Sequence, residues 1–328
     1  MSAALLLVVL AATAALFLWV NRHEFAAVRC PILLYHRFIR DERDLERYPG
    51  TEAIFTITEE RFDEQMRYLK ENGYTPVGID EIVEFVAAGR PLPRRPVAVT
   101  VDDGWTSNID IMLPVLRKHG IKASFFVTTS ADSWIYHKFR GLDGPLSRDQ
   151  VALLRAEGHT IGSHSVTHPH LVELDDDAVR REFAESKHWL EEATGRPCPT
   201  LSIPGNFYDG RIMRIAQECG YSAVFTANVG SVRAGTSLWD IPRLIVEGNF
   251  ALPEFEANMR PLTICTRKLI FAVKKLPPRI LGASRYIAIR EVLFNSPLRA
   301  LFIMRRLKMI ALGLALLLMA ALVLLATR

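Results

Sequence analysis

Helical and strand-forming segments alternate along most of this chain, and that alternation predicts a β/α barrel. Two observations sharpen the expectation. Residues 96–101 form an apolar run of the kind buried on both faces, and two aspartates follow it directly, at the strand end where such folds collect their chemistry. In order, residues 30–35 read as an apolar strand that ends in Tyr35 and His36. Helices are expected at 59–72 and 80–88, a strand at 96–101, a helix at 109–119 and a strand at 123–128. An irregular insert, 130–145, carries Trp134, Tyr136 and Phe139, which either rim a groove or cap the barrel. The alternation resumes with helix 148–157, strand 160–164, helix 176–194, strand 199–203, helix 210–219 and strand 221–226. No internal repeat or low-complexity run interrupts it.

Thr100-Val101-Asp102-Asp103-Gly104-Trp105 and His164-Ser165-Val166-Thr167-His168 carry the candidate chemistry. Two neighbouring carboxylates allow a division of labour. One can hold a divalent cation while the other stays free as a base, and Gly104 lets the chain turn so that both reach one cavity. The histidines follow Gly158 to Ser163, a short strand after a helix, and so sit on a loop at a second strand end. A carboxylate with two imidazoles is a borderline N/O donor set that suits zinc and leaves positions for water and substrate. Alone, an Asp-Asp pair is more often a solvated turn, and a His-x-x-x-His more often surface or packing. Together, each at a strand end, they point to a hydrolytic metal site. His119, His137, His159 and His170 are read as structural.

With these motifs the chain resembles the NodB-type polysaccharide deacetylases, metal-dependent hydrolases that remove N-acetyl groups from amino sugars. The resemblance runs from about residue 31 to residue 246 and narrows the fold to an incomplete (β/α)7 barrel. It implies Asp103, His164 and His168 as metal ligands and Asp102 as the catalytic base, with a divalent metal, Zn2+ by preference, as cofactor. Residues 62–74 and 79–90 resemble the helical lead-in to the family's Asp-Asp strand. No Leu-x-x-x-His element follows Arg243, whereas His36 closes an apolar strand near the start. That is the circularly permuted order of exopolysaccharide deacetylases, and it implies His36 as the general acid; otherwise His36 is a strand-end histidine bonded to backbone. Leu201 to Asp209 resembles the third motif, with the Gly205 amide as oxyanion donor. Here the chain departs from the usual Arg-x-Pro form, since Ser202 or Ile203 stands where an arginine normally tethers the base. Arg243, in the stretch 239–246 that resembles the fourth motif, is the candidate replacement; it reads equally as a surface arginine beside a strand.

The remaining composition concerns placement. At 328 residues, 49% of them hydrophobic, the chain can bury one large domain, with surplus apolar content at its ends. Ala3 to Val20 and Met309 to Ala326 are each long enough to span a bilayer. The first lacks a positive n-region, which favours an uncleaved anchor over a signal peptide. The expected organisation is therefore a transmembrane anchor at 1–21, a catalytic domain at 28–259, a basic amphipathic segment at 260–307 and a transmembrane helix at 308–327. Residues 260–308 hold twelve Lys or Arg against Glu291 alone, interleaved with large apolar residues, which suits an anionic membrane surface and its lipids. No recognition fold surrounds this run, so nucleic acid is excluded as a partner. A two-span protein of the bacterial inner membrane follows, and the positive-inside rule leans toward a cytoplasmic catalytic face. Cys30, Cys198, Cys219 and Cys265 lack CxxC spacing and read as free thiols. The expected function is hydrolysis of N-acetyl or N-formyl groups on an amino-sugar polymer or a lipid-linked amino sugar. The alternative, prompted by the missing arginine, is a catalytically silent glycan-binding subunit of a membrane polysaccharide assembly.

Overall fold

The computed structural model describes residues 15–17, 19–26, 28–48, 50–274 and 289. The chain divides into two compact units, Val28–Met259 and the flanking segments Met1–Ala27 with Arg260–Arg328.

The larger unit is built on parallel strands: β1 (Ile32–Tyr35), β2 (Arg37–Ile39), β3 (Thr56–Thr58), β4 (Thr75–Pro76), β5 (Pro96–Val101), β6 (Ser124–Val127), β7 (Thr160–Ser163), β8 (Thr200–Ser202), β9 (Ala223–Phe225) and β10 (Leu244–Ile245). The main sheet runs β10-β1-β5-β6-β7-β8-β9, with β4 beside β5, while β2 and β3 form a separate parallel pair. Its edges approach through a single isolated bridge, Phe225 to Ile241, before the chain enters β10 and pairs with β1. The sheet is therefore curled and incompletely closed.

Period-two alternation in β5 decides where the chemistry points. Val97, Val99 and Val101 join the cluster formed with Phe62, Met66 and Leu116 from the covering helices. Ala98 faces the other way, toward Phe126, Phe225 and Ile241 inside the curl. Continuing the alternation, Thr100 and Asp102 also face inward. Several crossovers are helices with a legible start. Thr58 caps helix Glu59–Glu71, Asp175 caps Asp176–Thr194 and Asp209 caps Gly210–Glu218, each side chain accepting a backbone N–H from the first turn. Ser147 and Gln150 exchange the two bonds of a capping box before helix Arg148–Ala156.

Most expected elements form within a residue or two. Three local features differ. The helix expected at 109–119 begins as a π-turn, Asn108–Met112, before Leu113–His119. The β2–β3 pair comes from segments too short to show periodicity. Helix Trp134–Lys138 orders the start of the insert and splits its aromatics: Tyr136 and Phe139 are buried, whereas Trp134 is exposed.

In the smaller unit, the turn Arg22–Phe25 and helix Pro261–Lys274 are tied by Lys268 Nζ to Glu24 Oε1 at 3.1 Å. This helix covers the first half of the basic amphipathic stretch; the second half lies outside the described residues. The expectation of two inner-membrane spans is overturned. Among the described residues no helix is long and apolar enough to cross a membrane. The runs that suggested spans, Ala3 to Val20 and Met309 to Ala326, lie outside the described residues except at 15–17, 19 and 20.

Candidate active site

Four strand ends and one closing segment bring the candidate residues together. In the parallel register of β1 with β5, Tyr35 stands opposite Val101, and Asp102 N–H donates to Tyr35 O at 3.0 Å. His36 and Asp102 therefore leave neighbouring strands side by side. His164 leaves β7, whose Ser163 pairs with Leu201 of β8. Ser202 ends β8, and Arg243 precedes β10.

Asp103 Oδ1 lies 3.5 Å from His164 Nε2 and 3.5 Å from His168 Nε2. The three ligating atoms all fall within 4.8 Å of one another, on buried or half-buried side chains. Two of the three donors are aimed by a neighbour. Trp105 Nε1–H donates to Asp103 Oδ2 at 2.9 Å, leaving Oδ1 for the histidines. His164 Nδ1 meets the Ser202 carbonyl at 2.9 Å. A carbonyl can only accept, so Nδ1 holds the proton and Nε2 faces the site, the arrangement that outer-shell partners impose on metal-ligating histidines. His168 Nδ1 is buried with no partner. One carboxylate and two converging imidazole nitrogens fit a divalent cation.

The backbone at this cluster is held in unusual conformations. Asp103, Ser165 and His168 all have positive φ, at 76°, 65° and 58°, a region non-glycine residues rarely occupy without surrounding support. Gly104 has φ 80°, and a Cβ there would meet Val127 Cγ1 at 2.8 Å. Support for the histidine loop comes from Glu182 on the following helix. Its carboxylate accepts from Val166 N–H at 2.8 Å, Thr167 N–H at 2.9 Å and Thr167 Oγ at 2.6 Å. Tyr136 Oη donates to Asp103 O at 2.6 Å, and Trp105 is packed beneath the Arg37 guanidinium at 4.5 Å.

Asp102 has a different environment. Arg243 meets it with two parallel bonds, Nη1 to Oδ1 and Nη2 to Oδ2, both 2.7 Å. Ser202 Oγ donates to Oδ2 at 2.9 Å and also contacts Arg243 Nη2 at 2.7 Å. Arg243 is 1% exposed and anchors its Nε on Thr226 O at 3.0 Å, so it is not a surface arginine. The cation absent from the third motif thus reaches the same carboxylate from the chain's closing segment, and the small Ser202 side chain joins the contact.

Charges follow from these contacts. Burial pushes the Asp102 carboxyl up, but Arg243 and His164 outweigh it and hold it below the usual carboxylate range. Burial likewise opposes ionisation of Asp103, and the surrounding histidines overcome it strongly. For His164, burial is outweighed by Asp102 and Asp103, which raise its pKa. Burial and the neighbouring His164 lower His168 to about 4. Burial also lowers His36, against the pull of Asp103 and Asp102. The His36 ring packs on Phe55 at 4.9 Å, its Nδ1 is buried without a partner, and its carbonyl accepts from Asn108 Nδ2 at 3.0 Å.

Gly205 lies in the turn Pro204–Asn206, exposed, with φ 61° and ψ −1°. A Cβ there would lie 3.7 Å from His170 Nδ1, so the turn borders the histidine loop. Sequence reasoning assigned no role to Trp105, Asn108 or Glu182, and read Tyr136 only as an insert aromatic that rims a groove or caps the barrel. Trp105 adjoins the Asp-Asp pair and could have been suspected. Glu182 had no local signal, because its partners lie fifteen residues earlier across a loop.

Comparison with known proteins agrees with this geometry. Residues 89–224 match the family model described as polysaccharide deacetylase. The chain is 25% identical over 244 residues to YxkH of Bacillus subtilis strain 168, provisionally named a polysaccharide deacetylase, covering 74% of this chain and 80% of that protein. It is 22% identical over 229 residues to the poly-β-1,6-N-acetyl-D-glucosamine N-deacetylase of Staphylococcus epidermidis, covering 66% and 78%. Among solved structures, the Streptococcus pyogenes deacetylase PplD in complex with acetate superposes with a TM-score of 0.61 at 22% identity, covering 72% of this chain and 99% of that one. At that identity the likeness speaks for the fold. Residues 89–224 thus resemble the polysaccharide deacetylase family, and the similar proteins named as N-deacetylases are hydrolases of N-acetyl amide bonds.

Proposed function

We propose that this protein is a divalent-metal-dependent N-deacetylase acting on an N-acetylated amino-sugar glycan. The observation that carries the reading is the separation of two adjacent carboxylates. Asp103 turns toward two histidine nitrogens, and Asp102 is held ionised by Arg243 outside that donor set.

An amide is a poor electrophile with a poor leaving group, so both halves of the reaction need assistance. Asp103, His164 and His168 would hold a divalent cation, which when bound would lower the pKa of water and polarise the acyl oxygen. Zinc is the preferred ion for this N/O donor set. Asp102 accepts the proton of the attacking water, with Arg243 and Ser202 fixing the direction of its lone pairs. The Gly205 N–H serves the oxygen that gains charge as the new C–O bond forms. The C–N bond then breaks, and His36 protonates the departing amine. An imidazole whose pKa burial lowers is a strong acid once it carries a proton.

The relatives' printed substrates, including poly-β-1,6-N-acetyl-D-glucosamine, support an amino-sugar polymer and favour acetyl over formyl. Metal analysis with amine release from N-acetylglucosamine oligomers tests the proposal. Release should require the ion and vanish in Asp102→Asn. A metal-loaded protein that releases no amine from such oligomers would instead favour the silent glycan-binding reading.

A further inference from the structure

Within residues 28–259, Trp134 is the only exposed aromatic side chain among the described residues, at 49%. A single exposed aromatic ordinarily needs no explanation. This one is fixed at the mouth of the site. Its Nε1–H donates to the carbonyl of His168 at 2.8 Å, and its ring lies edge-on to the His168 imidazole at 5.8 Å between centroids. His168 is one of the three converging donors. The indole is thus anchored by its polar edge to the loop that presents the candidate ligand, while much of its surface stays in water. Lys138 Nζ, 6.0 Å from the ring centroid, is held by Glu52 at 2.8 Å and borders the indole. On the same loop the half-buried Phe207 packs against His170 at 5.7 Å, next to the exposed Gly205 turn. Aromatic side chains therefore contact the histidine loop at two residues, His168 and His170.

Pyranose rings present an apolar C–H face that packs on aromatic rings, and an indole already fixed in orientation loses little freedom when it receives one. We propose that Trp134 is a sugar-binding platform for the glycan residue adjoining the one whose amide is cleaved. The inference rests on the deacetylase reading above and adds an expectation about substrate length. A single N-acetylated sugar can occupy the site without using the indole, whereas a longer oligomer engages both.

The test compares the metal-loaded full chain with Trp134→Ala and Trp134→Phe, measuring kcat/KM for amine release from N-acetylglucosamine and from its dimer through pentamer in β-1,6 and β-1,4 linkage. Using the pentamer-to-monomer ratio within each protein cancels any general loss caused by disturbing His168. The wild type should gain with length. Trp134→Ala should lose about tenfold of that gain, mainly through KM, the scale of one aromatic contact. Trp134→Phe, which keeps a ring but not the N–H, should retain most of it. A wild type without length dependence, or an alanine variant with the wild-type ratio, overturns the platform while leaving the deacetylase reading intact. No amine release from any oligomer by the metal-loaded wild type overturns both.

Discussion

Arg243 meets a buried carboxylate through two 2.7 Å bonds, so neither partner can be removed without stranding a charge. Breaking a buried pair in this way costs about 3–5 kcal/mol. Arg243→Met should therefore lower the urea-unfolding free energy by that order and sharply reduce turnover. Arg243→Lys should keep the charge but lose the planar fork, so that stability recovers further than activity. Equal loss in both variants, in both measurements, would show that the fork has no bearing on Asp102. Trp105 acts on the other carboxylate. Among the described residues Trp105 makes the only side-chain hydrogen bond to Asp103 Oδ2, so Trp105→Phe should weaken zinc binding about tenfold, as loss of outer-shell partners commonly does. Competition with a chromogenic chelator measures this directly, with unchanged affinity as the contrary result.

At the scale of elements, helix Asp176–Thr194 and the histidine loop form one device. Glu182 accepts three hydrogen bonds from that loop, and two loop residues, Ser165 and His168, hold positive φ. Glu182→Gln replaces an acceptor with a donor facing N–H groups, and should weaken divalent-ion affinity about tenfold or more with a smaller effect on unfolding. If the ion binds as before, the clamp is packing only. A second element-scale expectation concerns pH. His159, just before β7, accepts from Ala123 N–H through Nδ1 at 3.1 Å. Burial and nearby Lys122 lower its pKa to about 4 from an ordinary 6.5. The unfolded chain protonates this group first as pH falls, so its stabilising contribution is complete above about pH 6.5 and is lost progressively toward pH 4. Urea unfolding between these limits should show that slope, and His159→Gln should flatten it.

At the scale of the whole molecule, the elements that were readable are either long and periodic or, like the short strands Thr200–Ser202 and Ala223–Phe225, marked by their place in the helix–strand alternation. Helix Asp176–Thr194 and strand Pro96–Val101 fall as expected. The β2–β3 pair was not readable, because three-residue strands carry no period. Asp102, Asp103, His164 and His168 stood out because their residue types and strand-end positions are unusual together. Arg243 could only be suspected, since its approach to Asp102 spans 141 positions and depends on how the sheet closes. Glu182 and Tyr136 act through backbone groups, which leave no trace in residue types. The expected membrane spans were not found: among the described residues no helix is long and apolar enough to cross a membrane. Metal should also register globally: an ion at a hundred times its dissociation constant adds about 2.7 kcal/mol to folding stability. The melting temperature should rise on loading and fall back on chelation.

The most direct test of the central claim measures bound metal and amine release from N-acetylglucosamine oligomers for the wild type and for Asp102→Asn. The account predicts one divalent ion per chain in both proteins, metal-dependent release by the wild type, and a turnover loss of about 10²–10⁴-fold in the variant. A variant that deacetylates like the wild type, or a wild type that binds no divalent ion, would contradict it.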